Sequence, residues 1–282
     1  MSNAYEALKQ NDVGGCLESL KDEIRNAPSD PQKRVFLFQL YSVLGEWEKS
    51  LTQLNVARDL AEDNKSMAET YQEVLRCESL RTEVFAGGRS PMILGEPAEW
   101  IAKQIQAIQF FAQGDFEAFK QLQGEAFELA ETSAGKIYEN TPGNGAQGDN
   151  AGDAGTEGVP FEWMADADSR LGPVLEAIVN GNYYWIPFEN IESVELEAPV
   201  DLRDLVWTPA TFCWRNQGQA VGFIPTRYAG STGELPGEIL MARTTEWSSP
   251  SEDLYAGKGL RILSTDADEY PLTRIRRIVF DS

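Results

Sequence analysis

Histidine is absent from this 282-residue sequence, and no other feature of its composition excludes as much chemistry. Without an imidazole the chain has no Ser-His-Asp or Cys-His nucleophile and no histidine-ligated zinc. It also lacks the side chain that ordinarily titrates near neutral pH and serves as the usual general base.

Cysteine and long hydrophobic runs are scarce as well. The chain has only Cys16, Cys77 and Cys213, and an odd number of widely spaced cysteines fits neither a disulfide framework nor a zinc knuckle. Reduced thiols are the simpler interpretation. A stretch of about 18 apolar residues does not occur, and no apolar segment follows the first charges of the N-terminus. These absences predict a soluble, cytoplasmic protein.

Positive charge is in short supply, because 24 basic residues stand against 45 acidic ones and the formal net charge is −21. A nucleic-acid-binding protein needs a basic face that displaces phosphate counterions, so we expect no nucleic acid partner. An anionic membrane surface is disfavoured as a partner for the same reason.

The hydrophobic fraction of 42% is typical of a folded globular protein, and the length favours two domains.

Apolar residues in the first half of the chain recur at three- and four-residue steps, which is the spacing of helices. The predicted helices cover residues 4–27, 32–44, 46–61, 66–86 and a segment that begins near Pro97. The pair over 32–61, with Gly45 at its turn, resembles one tetratricopeptide repeat. Such hairpins stack around a concave face that can hold an amphipathic helix or an extended peptide. By analogy with other repeats, the predicted contacts in that groove are Val35, Gln39, Ser42 and Val43.

Residues 141–158 contain six glycines and no large apolar side chain, which is typical of a linker or loop. The chain beyond them has short strand-like runs, at 191–197, 211–214, 220–224, 239–242, 259–263 and 274–280. The sequence therefore predicts an α+β protein with three parts. An all-α tetratricopeptide-like helical repeat domain, 1–140, and a glycine-rich linker or loop, 141–160, precede a smaller antiparallel β-rich domain of five or six strands, 161–282.

Asp166 and Asp168 are the carboxylates most suggestive of chemistry. Two carboxylates two residues apart, with Glu162 nearby, could share a divalent cation, and Arg170 could hold an anionic substrate. This pattern keeps a metal-dependent hydrolase open as a hypothesis. No glycine-centred calcium loop follows, however, and the spacing needed for ligands ends at Leu171-Gly-Pro173.

A turn followed by a short helix is the simpler interpretation of the same stretch. Asp168 or Ser169 would cap the helix, Val174–Val179 would form it, and Asn180-Gly181 would end it. Tyr, Trp and Arg dominate interface hot spots, so this region also offers an alternative protein-binding surface. Its predicted members are Trp163, Arg170, Tyr184 and Trp185.

Two strings of residues are more specific than any periodicity, namely Asp166-Ala-Asp-Ser-Arg-Leu-Gly-Pro173 and Arg203-Asp-Leu-Val-Trp207. Further strings accompany them, including Gly45-Glu-Trp47, Phe161-Glu-Trp163, Ile224-Pro-Thr-Arg-Tyr228 and Arg243-Thr-Thr-Glu-Trp247. Through these strings nearly the whole chain resembles the ImpE/TagJ family, accessory proteins of bacterial type VI secretion.

The resemblance implies a non-enzymatic cytoplasmic adaptor without catalytic residues, metal or cofactor. It implies that the adaptor binds the amphipathic N-terminal helix of the small sheath subunit. It also implies an influence on how the sheath-disassembling AAA+ ATPase engages the sheath. The residues by themselves leave the hydrolase and a purely structural scaffold open as alternatives.

Overall fold

Helices fill the first half of the chain, and strands fill most of the second. The computed structural model describes residues 3–140 and 157–281, so the glycine-rich segment lies outside the described residues as far as residue 156. The helices are α1 (Asn3–Lys9), α2 (Val13–Asn26), α3 (Pro31–Leu44), α4 (Trp47–Leu60), α5 (Lys65–Phe85), α6 (Glu99–Gln113), α7 (Phe116–Leu129) and α8 (Gly237–Leu240).

The strands form one large sheet and two small ones. They are β1 (Met92–Ile93), β2 (Gly135–Glu139), β3 (Val159–Phe161), β4 (Met164–Asp166), β5 (Val174–Val179), β6 (Asn182–Pro187), β7 (Ile191–Leu196), β8 (Trp207–Trp214), β9 (Gln219–Pro225), β10 (Thr245–Ser251), β11 (Leu254–Gly259), β12 (Ile262–Thr265), β13 (Glu269–Pro271) and β14 (Ile275–Phe280). The large sheet has the order β1-β6-β5-β9-β8-β7-β14-β2-β3. Its pairs are antiparallel except β1 with β6. This architecture confirms the predicted α+β class.

The helix ends follow local sequence signals. Asp30 caps α3 by accepting hydrogen bonds from the backbone N–H groups of Gln32 and Lys33, and Pro31 occupies the first helical turn. Gly45 ends α3 in the left-handed region with a φ of 73°. The turn glycine predicted between the two repeat helices is thereby confirmed.

The predicted helix over Val174–Val179 is wrong, because these residues form strand β5. Asn180 and Gly181 have φ values of 49° and 71° and make a tight turn into β6. Asn-Gly with two left-handed residues is the preferred turn of a two-residue hairpin, and the β-branched residues before it favour a strand. All six residues of β5 are buried, so no periodicity distinguishes a strand from a helix there.

The predicted strand over 239–242 is also wrong. Residues Gly237–Leu240 form the short helix α8 after Pro236, and a run of four apolar residues is too short for periodicity to decide its state. The large sheet has nine strands rather than five or six, partly because β2 and β3 flank the glycine-rich segment. Strand β2 pairs with β14 near the other end of the chain.

Both faces of the large sheet bury side chains. One face, with Val174, Ile178 and Trp207 among its residues, shares a hydrophobic core with buried residues of α1–α7. The other face, with Leu175 and Phe212 among its residues, packs beneath the small sheet of β4, β12 and β13. Within the described ranges, none of the helices combines the length and the apolar character needed to cross a bilayer.

Two glycines at equivalent helix ends allow a test of the packing between the helical half and the sheet half of the chain. Gly45 and Gly114 end α3 and α6 with φ values of 73° and 78°. A Cβ at Gly45 would lie 2.3 Å from Thr232 Cγ2, whereas a Cβ at Gly114 would meet no atom within 4 Å. In urea denaturation, we expect Gly114→Ala to lower the free energy of unfolding by about 1 kcal/mol through backbone strain. We expect Gly45→Ala to lower it by a further 1–3 kcal/mol or so through overpacking. Equal losses would contradict the contact.

Candidate functional site

Buried charges meet where α5 packs against the large sheet. The cluster consists of four arginines and four carboxylates, here called the ionic core: Arg81, Arg170, Arg227, Arg261, Glu78, Asp166, Asp168 and Glu176. Burying so many charges is unfavourable unless each is paired and hydrogen bonded. Seven of the eight are ion-paired within the cluster, and Arg227 instead donates hydrogen bonds to the backbone carbonyl groups of Ser42, Val43 and Leu240.

Glu176, on β5, is the central acceptor of the ionic core. Its carboxylate accepts hydrogen bonds from Arg81 Nε at 2.7 Å and Nη2 at 3.0 Å, and from Tyr183 Oη at 2.5 Å. Arg261 Nη2 donates to it as well. Burial by itself would raise the pKa of Glu176, but Arg81 and Arg261 outweigh burial and lower the pKa to about 2. This carboxylate therefore stays ionised and ties α5 to the sheet.

Asp166 and Asp168, the candidate metal ligands, are bound by arginines. Asp166 Oδ2 lies 2.5 Å from Arg261 Nη1. Asp168 accepts hydrogen bonds from Arg170 Nε at 2.8 Å and Nη2 at 2.5 Å, and from the Gly257 N–H at 2.8 Å. Burial raises the pKa of Asp166 to about 7, against the opposing effect of Arg261. The oxygens that a metal would need are thus engaged by cations and backbone donors.

The third residue of the hydrolase hypothesis, Glu162, lies on the surface, and its backbone N–H donates to Asp266. Through residues 3–140 and 157–281, no three His, Cys, Asp or Glu side chains converge in a way that could hold a metal ion. The side chain of Asp168 does cap the local backbone, since its Oδ1 accepts from the Arg170 N–H at 2.9 Å. The cap closes a turn before β5, not a helix.

The residues predicted on the concave face of α3 lie mostly inside the protein. Gln39, Ser42 and Val43 are buried, and Val35 is half-buried. Arg227 donates to the Val43 carbonyl at 2.7 Å and to the Ser42 carbonyl at 3.2 Å. The Ser42 side chain is covered by α4, where its hydroxyl lies 2.7 Å from that of Ser50, and Arg227 from the C-terminal half covers the end of α3.

The members of the alternative surface are distributed differently. Trp163 is 40% exposed and Tyr184 is half-buried, but Trp185 is buried and donates from Nε1 to Tyr183 Oη at 2.8 Å. Arg170 is largely buried beneath two aromatic rings, those of Phe85 and Phe111. Of these four residues, Trp163 retains the most surface for a partner.

Two depressions lie along α5. One is a cavity of about 280 Å³ beside the ionic core, lined by Trp47, Arg81, Arg170, Arg227 and Tyr228 among others. The other is a groove of about 370 Å³ between α5 and the sheet, lined by Glu73, Ile178, Pro209, Val221 and Phe223 among others. Sequence reasoning missed this groove, although the alternation through β9 places Val221 and Phe223 on one face.

The ionic core predicts a large effect for one conservative change. Glu176→Gln removes the charge that compensates two buried guanidinium groups, so we expect the free energy of unfolding to fall by about 3–5 kcal/mol in urea denaturation. Glu195→Gln is the matched control on a nearby strand. Its partner Arg277 lies 3.6 Å away in an exposed pair, so its loss should be below about 1 kcal/mol. Comparable losses for the two variants would refute the central role of Glu176.

The same residue predicts a pH dependence. Because the folded-state pKa of Glu176 is lowered from 4.5 to about 2, the unfolded state takes up the proton first on acidification. The stability that Glu176 contributes is present above pH 4.5 and is lost as pH falls toward 2. We expect the stability difference between the wild type and Glu176→Gln to shrink between pH 5.5 and pH 3 in urea titrations. A constant difference over that range would be the contrary result.

Comparison with known proteins identifies the family of this chain. A family model described as ImpE protein matches residues 158–279. The type VI secretion system accessory component TagJ of Pseudomonas aeruginosa is 40% identical over 278 residues, which are 99% of this chain and 91% of that protein. A crystal structure of a Vibrio parahaemolyticus protein shares the fold, with a TM-score of 0.84 at 22% identity over 99% of this chain and 97% of that one. The resemblance seen in the sequence is confirmed, and the chain belongs to the ImpE/TagJ family.

Proposed function

We propose that this protein is a non-enzymatic adaptor of type VI secretion in the cytoplasm, and that it captures the amphipathic N-terminal helix of the small sheath subunit. The observation that carries the proposal is the 40% identity to the accessory component TagJ over 99% of the chain. The helix as ligand goes beyond that relative's name. It comes from the family resemblance and from the kind of surface that the chain presents.

The chemistry of the buried groups supports an adaptor rather than an enzyme. The carboxylates and arginines of the ionic core hold one another, and their geometry stabilises the junction of helices and sheet. An active site of the usual kind instead presents a titratable group to a pocket next to a nucleophile or a metal. The open surfaces of this chain are better suited to binding.

The surface next to α5 supports a helical ligand. The 370 Å³ groove has apolar walls from Val74, Pro209, Val221 and Phe223, and Val221 is 72% exposed. An amphipathic helix binds by laying an apolar face into a groove of this kind. By holding the first helix of the sheath subunit, the adaptor would modulate how the AAA+ ATPase engages the sheath.

Calorimetry tests the proposal directly. A synthetic peptide that copies the first helix of the small sheath subunit is titrated into the full-length protein. We expect saturable binding with a dissociation constant in the micromolar range or tighter, because a short amphipathic helix buries enough apolar surface for about 8 kcal/mol of binding free energy.

The control is the same peptide with two residues of its apolar stripe changed to aspartate, which should abolish binding. If the unchanged peptide gave no saturable heat at high micromolar concentration, the proposed ligand would be wrong. Equal binding of both peptides would show that the apolar face is not recognised.

A further inference from the structure

The cavity beside the ionic core is separate from the groove that supports a helical ligand. Residues 70–74 of α5 line the groove, whereas residues 78–85 of the same helix line the cavity. Residues 227–232, which follow β9, form another wall of the cavity. Its volume of about 280 Å³ is close to the lower end of the range for small-molecule sites, roughly 300–1,000 Å³. The cavity therefore suits a small molecule rather than a helix.

Cations outnumber carboxylates among the side chains that line this cavity. Arg81, Arg170 and Arg227 line it, and Glu78 is the one acidic residue that does so within the described part of the chain. The other carboxylates of the ionic core do not line it. The wall of the cavity therefore carries more positive than negative charge.

Arg227 is the cation of the ionic core that lacks a carboxylate partner in the described ranges. Its guanidinium group donates to three backbone carbonyl groups, two of them at the end of α3. A helix C-terminus supplies only about half of a negative charge. Burial, which Glu78 opposes only in part, lowers the pKa of Arg227 to about 10. For the other three arginines burial also lowers the pKa, but their carboxylate partners outweigh it and raise the pKa. A full negative charge is missing beside Arg227.

Arg170 has one edge of its guanidinium group unused. It binds Asp168 through Nε and Nη2, and the Gly257 carbonyl group through Nη2. Its Nη1 donates to no acceptor among the residues that the structure describes, and it is not sealed inside the protein. An arginine held along one edge presents its remaining N–H groups in a fixed direction, which favours an anionic oxygen. Arg170 is therefore an oriented donor at the cavity wall.

Apolar and aromatic side chains form much of the remaining lining, among them Trp47, Phe85, Val206 and Tyr228. Walls of this kind exclude water, and the attraction between an anion and a guanidinium group is stronger where water is excluded. They also offer contact area to the nonpolar part of a ligand. The ligand that fits this lining has an anionic group attached to a small apolar or aromatic body.

We infer that this cavity binds a small organic anion, whose carboxylate or phosphate group lies against Arg170 and Arg227 and whose apolar part packs against Trp47 and Phe85. The inference goes beyond the proposed function and does not depend on it. Carboxylate and phosphate groups share the oxygen chemistry that arginine recognises, and different probes separate the two.

The acidic surface of the chain does not prevent this binding. At physiological ionic strength, exposed charges are screened over about 8 Å, so distant carboxylates that contribute to the net charge of −21 have little effect inside the cavity. The arginines at the wall are buried or largely buried, and buried charges are screened much less. The local cations therefore decide the sign of the potential that a bound ligand meets.

Calorimetry with simple probes tests the site in the full-length protein, in a buffer without other oxyanions. Benzoate and phenyl phosphate carry an anionic group on an aromatic ring, whereas acetate and inorganic phosphate lack the ring. We expect benzoate or phenyl phosphate to bind one-to-one with a dissociation constant of about 1 mM or tighter. The matching probe without a ring should bind at least about fivefold more weakly, because it makes no apolar contact. The probe that binds more tightly identifies the anionic group.

Two threonines of α5 give a matched pair of variants. Thr82 lines the cavity, and Thr70 lies about 18 Å away along the helix. Both are exposed, and each donates to the carbonyl group four residues before it. We expect Thr82→Glu to weaken binding of the tighter probe by about tenfold or more, because a carboxylate beside the cavity repels the anion and competes for the arginines. Thr70→Glu should bind within about twofold of the wild type, and circular dichroism should show both variants folded.

Three results would overturn the inference. The first is that neither ring-bearing probe gives saturable heat at concentrations up to about 20 mM, in which case Arg227 serves only to bind the end of α3. The second is equal binding of the tighter probe to Thr82→Glu and Thr70→Glu, which would place the probe elsewhere. The third is equal affinity for probes with and without the ring, which would show that the apolar walls contact no ligand.

Discussion

The bidentate pair between Arg81 of α5 and Glu176 of β5 is the interaction on which the rest of the structure depends. It joins the helical and sheet halves through groups that are almost completely buried. Arg261 shares the same carboxylate, so one glutamate compensates two cations. Buried ions of this kind stabilise a fold only when every partner is present, because a lone guanidinium in the interior is strongly unfavourable. The pair therefore specifies one placement of the helices on the sheet.

That placement changes which surfaces are free to bind. Helical repeats commonly bind ligands on their concave face, but here Arg227 donates to the carbonyl groups of Ser42 and Val43, and the ring of Trp207 packs 5.9 Å from that of Trp47. The chain fills its own groove. What remains open is the sheet beyond α5, where the helical layer stops.

The residues that look most like an active site instead hold the fold together. Asp166 and Asp168 suggested a metal site from spacing alone, and each binds an arginine distant in sequence or adjacent in the turn. Asp166 and its partner Arg261 are 95 positions apart in the chain, and no local sequence pattern predicts their pairing. Sequence spacing shows which ionisable side chains lie near one another in the chain. Other helices and strands bury those side chains, which changes their pKa values, and supply cations such as Arg261 that pair with them.

The sequence alone determined most of the helices, the strands with clear alternation, the α+β class and the family. Those features depend on local periodicity, caps such as Asp30 and long specific strings. From the sequence, Val174–Val179 was predicted to be a helix, because a fully buried strand shows no alternation of polar and apolar residues. Strand β2, beside the glycine-rich segment, was not predicted. Only the tertiary structure decided that α3 is covered and that Val221 lies open beside α5. Both outcomes depend on contacts between residues far apart in the chain, and no short stretch of sequence predicts such contacts.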